Sequence, residues 1–283
     1  MLGAENVKTL SEDFPFSDES FQFIAAKVGS EFGIRLHRDK KELVHSRLTK
    51  RLRALNLSSF EEYCDILSRT SGDSESVHLL SSITTNVTHF YREPHHFEYL
   101  TEMMPKLIKK ARRGEPIRLW SAGCSAGQEA YTISSVILSN FPDLLNLDLK
   151  ILATDIDPKM IAAAKSGLYT CDDTNRLPTN LKNALFRKPF TDPLEISDAA
   201  RKMITFGCLN LIAEWPMKGK FDVIFCRNVA IYFDKGTQSK LWNRFYNALN
   251  EDGVLMIGHS ERLSGRAAQK FSSAGITTYR RSQ

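Results

Sequence analysis

Four short segments of this 283-residue chain carry the polar groups that could handle a charged small molecule. The first is S-A-G-C-S-A-G-Q-E at 121–129, between an apolar run and a helical pattern. Gly123 and Gly127 permit a sharp turn and a close backbone approach to a ligand at a strand's carboxyl end, where α/β folds bind nucleotides. The spacing G-x-x-x-G is not the dinucleotide fingerprint, and glycines also serve such turns for structural reasons alone. The second segment, A-T-D-I-D-P at 153–158, ends another apolar run. Asp155 at the tip can accept both hydroxyl protons of a ribose. Asp157, just before Pro158, suits a helix cap instead. A glycine turn beside a ribose-type acid points to an adenosine-containing cofactor, either a nicotinamide dinucleotide or S-adenosylmethionine.

The third segment, F-D-V-I-F-C-R-N-V-A-I-Y-F-D at 221–234, drives a buried strand into the polar pair Arg227-Asn228 and a second apolar run with Tyr232. Alone, Asn228 is more often a turn former and Tyr232 a core residue. Together with T-T-N-V-T-H-F-Y-R-E at 84–93 the combination is distinctive and favours S-adenosylmethionine.

The elements that must position these residues fall into two grammars. Up to about residue 88 the chain reads as helices: one capped by Ser17 or Ser20, one over 40–55, one opened by Ser58/Ser59, and one containing Val77, Leu79, Leu80 and Ile83. After about residue 116, apolar runs at 117–123, 149–154, 221–226, 254–257 and 276–279 alternate with helical patterns, the grammar of a doubly wound parallel sheet. Residues 181–206, with Phe186, Phe190, Pro189 and Pro193, fit neither pattern and suggest an insert of short strands. In the 40–55 helix, Val44, Leu48, Leu52 and Leu55 form one apolar stripe at about 100° per residue, beside a basic face of Lys40, Arg47, Lys50 and Arg51. Such a face is as often simply solvated as it is a docking surface.

Hydrophobic residues at 42% and charged residues at 25% describe an ordinary globular protein, without the 18 or so apolar residues in a row that a membrane helix needs. The first 16 residues carry acids early and lack the pattern of a secretory signal, so a cytoplasmic location is expected. Five scattered cysteines without C-x-x-C, and no H-E-x-x-H, suggest no metal site. A net charge of +5 hints at an acidic partner without separating nucleic acid from protein.

The ordered stretches T-N-V-T-H-F-Y-R-E, W-S-A-G-C-S-A-G-Q-E-A-Y, A-T-D-I-D and F-C-R-N-V-A-I-Y-F-D resemble the chemotaxis receptor methyltransferases, the CheR family, over nearly the whole chain. Gln128 and Ala130 depart from the family, which usually shows Glu and Pro there. The resemblance implies a Rossmann-like S-adenosylmethionine-dependent methyltransferase domain after a small all-helical domain, with a small antiparallel β insert. It implies a helical receptor-docking domain over 1–88, a linker at 89–104 contributing to the cofactor site, and the methyltransferase domain over 105–283, with the insert at about 181–206. Asn86, Thr88, Arg92, Glu129, Asp155, Asn210, Leu211, Arg227 and Asn228 should line the cofactor pocket, with Gly123 from the glycine turn. Arg92 and Tyr232 are expected to orient the acceptor, a chemoreceptor glutamate that becomes a methyl ester while the cofactor leaves as S-adenosylhomocysteine.

The partners implied are the acidic methylation helices of membrane chemoreceptors, docked on Arg47, Lys50 and Arg51, with no nucleic acid and no membrane insertion. Some relatives tether to a receptor's C-terminal pentapeptide through a glycine-rich turn in the insert. Here no glycine lies between Gly167 and Gly207, so a pentapeptide-independent monomer is the expectation. Three rival readings are weaker. A nicotinamide oxidoreductase would want a third glycine after Gly127. A base-amino methyltransferase would carry N-P-P-Y or D-P-P-Y where R-N-V-A-I-Y stands. A cofactor-binding adaptor without activity stays open through Gln128 and Ala130.

Overall fold

The computed structural model describes residues 14–69, 74–84, 86–189 and 191–282. The first 13 residues, on which the location argument drew, and Phe190 of the expected insert lie outside the described residues. The chain divides into two compact units, 1–85 and 86–283.

The first unit is helical: α1 Asp18–Phe32, α2 Lys41–Ala54, α3 Phe60–Arg69 and α4 Ser74–Ile83. Ser17 caps α1 by accepting from the Ser20 N–H at 3.0 Å, and Gly33 ends it in the left-handed region. Ser59 accepts the Glu62 N–H and Glu62 reaches back to the Ser58 N–H, which opens α3. The α2 stripe Val44, Leu48 and Leu52 is buried, with Leu55 half-buried at its end.

The second unit runs α5 His95–Ala111, β1 Ile117–Ala122, α6 Gln128–Asn140, β2 Leu149–Asp155, α7 Pro158–Ser166, β3 Leu168–Tyr169, α8 Thr179–Leu185, β4 Leu194–Glu195 and α9 Asp198–Met203. It continues through β5 Ile204–Cys208, β6 Phe221–Cys226, α10 Lys235–Ala248, β7 Leu249–Ile257, β8 Phe271–Gly275 and β9 Thr278–Arg281. Seven strands form one sheet in the order β5-β2-β1-β6-β7-β9-β8. The first five are parallel, and β9 and β8 add antiparallel. Side chains alternate across it: Ile117, Leu119, Val223, Phe225, Val254 and Met256 enter one core, Trp120, Ala122, Ile224, Cys226, Leu255 and Ile257 the other. Burial on both faces is why these strands read as unbroken apolar runs.

The small antiparallel sheet is present, but it is two-stranded: β4 pairs with β3, which lies before residue 181, and a single bridge joins Phe186 to Ile196. The rest of 181–206 is largely helix, in α8 and α9, and its last residues open β5 of the main sheet. The helix α5 takes up residues 95–104 of the segment expected as linker, 89–104.

From β1 the chain moves to β2 and β5 on one side, then returns across to β6 on the other. That reversal leaves a crevice at the carboxyl ends of the strands beside β1, the place where open α/β sheets take their ligands.

Candidate active site

Three loops are stitched together at this edge. The N–H groups of Gly123 and Cys124 donate to the Thr154 carbonyl at 2.7 and 2.9 Å, which locks the β1 turn to the end of β2. Gly123 has φ +87°, and a Cβ there would stand 2.3 Å from Val229 Cγ2. Its closest approach is therefore to the loop after β6. Asp157 caps α7 through the Lys159 N–H, as its place before Pro158 suggested. Asp155 accepts the Ser125 N–H at 2.8 Å on one oxygen and the Asp157 N–H at 2.9 Å on the other. Burial pulls its pKa up while these N–H groups oppose the rise. Each oxygen retains a second lone pair for a ligand hydroxyl. Asn86 joins the same knot, donating to Asp157 at 3.2 Å while its carbonyl accepts from Ser125 Oγ at 3.2 Å.

Arg227, at the end of β6, has a side chain only 2% exposed and gathers the neighbouring loops. It donates to Glu129 at 3.1 Å and to the carbonyl of Arg92, lies 3.5 Å from Glu93, and sits over the Phe97 ring at 5.6 Å. Glu129, the second residue of α6, also accepts from Ser121 Oγ at 2.6 Å. Burial raises the Glu129 pKa against the pull of Arg227 and Ser121. Burial also acts to raise Glu93, but Arg227 and His259 outweigh it and hold that carboxyl below its usual range. His96 is fully buried, and burial followed by the nearby Arg227 lowers its pKa to about 3. Glu93, His95 and His96 bring ligand-type atoms within 4.8 Å of one another. The Arg227 guanidinium and the N-terminal end of α5 are both electropositive there, which disfavours a cation.

The remaining expected residues occupy distinct places. The Arg92 side chain is half-buried and donates to the Val87 carbonyl at 3.2 Å. Thr88 is half-buried in the same loop. Leu209 ties β5 to Asp155 through the Asp155 carbonyl. Next to it, the Asn210 side chain accepts the Ile212 N–H at 3.0 Å. Leu211 is a core residue whose carbonyl accepts from Trp215 Nε1 at 3.2 Å and from Arg244 at 2.8 Å. Asn228 takes φ +60°, and Tyr232, 37% exposed, ends the short 3-10 turn that follows. The structure thus joins Asn86 to Asp155 through Ser125, and Glu129 to Arg92 through Arg227, while Gly123 is tied to Thr154, the neighbour of Asp155. Asn210, Leu211, Asn228 and Tyr232 lie on the β5 and β6 loops beside them. Sequence reasoning missed Glu93 and Glu261, which hold the cluster from behind. The signals were the acid directly after Arg92 and the G-H-S-E that ends β7.

The helical unit places the expected docking cations unequally. Arg47 donates to the carbonyls of Ile83 and Thr84. Arg51 makes a two-pronged pair with Glu75, which also accepts from Tyr63 at 2.9 Å. Lys50 alone of the three is exposed. Two of the three charges are thus engaged inside the unit, because the apolar stripe that buries α2 draws its flanking residues inward.

The residues at the sheet edge fit an S-adenosylmethionine. Arg227 Nε, Asn228 Oδ1 and Gln128 Oε1 are buried and have no hydrogen-bond partner among the described residues. Buried polar atoms without partners are costly, and a ligand offering both donors and acceptors would satisfy them. Residues 86–280 match the SAM-binding domain of CheR methyltransferases, and residues 19–84 match the all-alpha domain of the same family. The chain is 48% identical over 261 residues to a probable chemotaxis protein methyltransferase of Rhizobium etli, covering 89% of this chain and 96% of that one. It is 40% identical to a chemotaxis protein methyltransferase of Borreliella burgdorferi, covering 84% and 86%. It is 35% identical to chemotaxis protein methyltransferase 2 of Pseudomonas aeruginosa, covering 95% of each.

Proposed function

This chain belongs to the CheR methyltransferase family, and from that premise we propose that it methylates glutamate side-chain carboxylates of membrane chemoreceptors. As a chemotaxis methyltransferase it uses S-adenosylmethionine, and the products would be a glutamate methyl ester and S-adenosylhomocysteine. The observation that carries this reading is the cluster at the carboxyl edge of the sheet: Asp155 and Asn86 on one side, the Glu129–Arg227–Arg92 chain on the other.

Asp155 would hold the ribose hydroxyls and Asn86 would close over them. Glu129 and the unpartnered Nε of Arg227 would meet the charged amino-acid end, with Asn228, Thr88, Gly123 and the backbone at Asn210 and Leu211 completing the wall. The cofactor supplies a methyl on a sulfonium, which departs as a neutral thioether. The acceptor needs no strong base, because a glutamate with a reference pKa near 4.3 is already ionised at neutral pH. Carboxylates are weak nucleophiles, so the protein contributes alignment and exclusion of water. Arg92 would pair with the incoming carboxylate, a charge-assisted contact, and Tyr232 would orient it. In the helical unit, Lys50 supports docking on an acidic receptor helix, where charge mainly raises encounter rate and sets register. No helix among the described residues is long and apolar enough to cross a membrane.

The test is transfer of tritiated methyl from S-adenosylmethionine to chemoreceptor-containing membranes, followed by mild base. Label released as methanol is the expected result. A protein that binds the cofactor by calorimetry but labels nothing would replace this reading with the adaptor.

A further inference from the structure

We propose that Glu261 is a positioning residue for methyl transfer, acting through the loop that carries Asn228 and Tyr232; the inference rests on the methyltransferase reading above. Glu261 is 4% exposed, and Arg262 donates to its backbone carbonyl at 2.7 Å, while among the described residues its carboxylate bonds no charged side chain. Its carboxylate instead accepts five backbone N–H groups. Oε2 takes those of Asn228 at 3.0 Å and Gly258 at 2.6 Å. Oε1 takes those of Val229 at 3.0 Å, Ala230 at 2.7 Å and Ile231 at 3.3 Å. Four successive N–H groups pointing at one carboxylate define the path of the chain from Asn228 to Ile231. That path is one a non-glycine residue adopts reluctantly, since Asn228 has φ +60°.

The loop is also packed so that it has little room to settle elsewhere. A Cβ at Gly258 would stand 2.6 Å from Asn228 Nδ2 and 2.8 Å from its backbone nitrogen. On the other side, Val229 fills the space against Gly123. Between these walls the Asn228 side chain presents a buried, unpartnered Oδ1, and Tyr232 follows one turn later. The same segment reaches the other cofactor loop, because His259 bonds Glu93 through its N–H at 3.3 Å and its ring at 3.0 Å. The G-H-S-E segment therefore clips both loops that carry the reacting end, while the ribose side is held independently by Asp155, Ser125 and Asn86.

This division gives the experiment its discrimination. Wild type is measured first for S-adenosylhomocysteine affinity by calorimetry and for methyl transfer to receptor membranes. A wild type that binds S-adenosylhomocysteine but transfers no methyl overturns the methyltransferase reading, and with it a role for Glu261 in methyl transfer. In an active enzyme, Glu261→Gln keeps size and shape but turns an NH2 group towards N–H donors that need an acceptor. The expected result is a fall in kcat of roughly a hundredfold, the scale of a small misplacement of reacting groups, with product affinity within about threefold of wild type. Glu261→Asp, one methylene shorter, should fail to restore kcat. A folded Glu261→Gln with wild-type kcat overturns the proposal, as does a parallel loss of affinity and melting temperature with kcat per folded molecule intact. Should Glu261→Gln not fold, Gly258→Ala decides, since it leaves the carboxylate in place and displaces Asn228. Wild-type kcat in that variant would equally overturn the proposal.

Discussion

At the scale of single residues, the site is a set of buried charges whose ionisation is fixed by their neighbours. Arg92 and Tyr232 are the groups proposed to meet the acceptor. Arg92→Ala and Tyr232→Phe are expected to lower turnover at saturating substrate by at least about tenfold each, the usual scale for an orienting contact. Normal turnover in both would assign the acceptor to other residues. His96 offers a test in the pH dependence of stability. Its folded pKa of about 3 lies below the unfolded value near 6.5, so only the unfolded chain takes up this proton between those limits. Its contribution is complete above about pH 6.5 and is lost as pH falls towards 3, at about 1.4 kcal/mol per unit. Urea unfolding of wild type and His96→Gln at pH 7 and pH 5 should show a smaller drop in the variant, by about 2 kcal/mol. Equal drops would mean that His96 is protonated within the fold.

At the scale of elements, a helix face has two jobs that compete for the same residues. The stripe of α2 buries Val44, Leu48 and Leu52 and pulls Arg47 and Arg51 into internal bonds, leaving Lys50 outward. Removing Arg51 would take from the buried Glu75 carboxylate its two-pronged charged partner. Arg51→Ala is therefore expected to cost about 2–3 kcal/mol of stability in the helical unit, discounted from a fully buried pair for its partial exposure. Lys50→Glu should leave stability within about 0.5 kcal/mol and lower receptor methylation without altering cofactor affinity. Denaturation followed by circular dichroism, set beside the methyl-transfer assay, separates the two. An unchanged rate in Lys50→Glu would remove this face from docking.

At the scale of the whole molecule, ligand binding and stability are linked. The three tryptophans, Trp120, Trp215 and Trp242, all belong to the second unit, so their fluorescence reports the domain that holds the proposed pocket. S-adenosylhomocysteine at about 100 times its Kd should stabilise that domain by about 2.7 kcal/mol, which corresponds to roughly 5–10 °C in Tm. The absence of a shift, with the compound shown soluble and in excess, would argue against a pocket in that unit.

The sequence alone determined the parts of this protein that depend on local chemistry. Period-two burial on both faces made the central strands legible as apolar runs, and Ser17, Ser59 and Asp157 announced helix starts because a cap bonds only two or three residues ahead. Asp155 and Arg227 stood out because each follows a buried strand directly. Edge strands were harder to see. Strand β5 alternates partly exposed residues and contains Gly207, so it merged with the insert before it. Tertiary structure decided what neighbours across the sheet share. Glu261 lies 33 residues from Asn228 yet sets its backbone, and Glu93 reaches Arg227 and His259 from the far end of the domain. Arg51, expected on the docking face, pairs with Glu75 for the same reason. Whether a charged side chain faces solvent or another residue depends on which element is packed against it, and that is a property of the fold rather than of spacing along the chain.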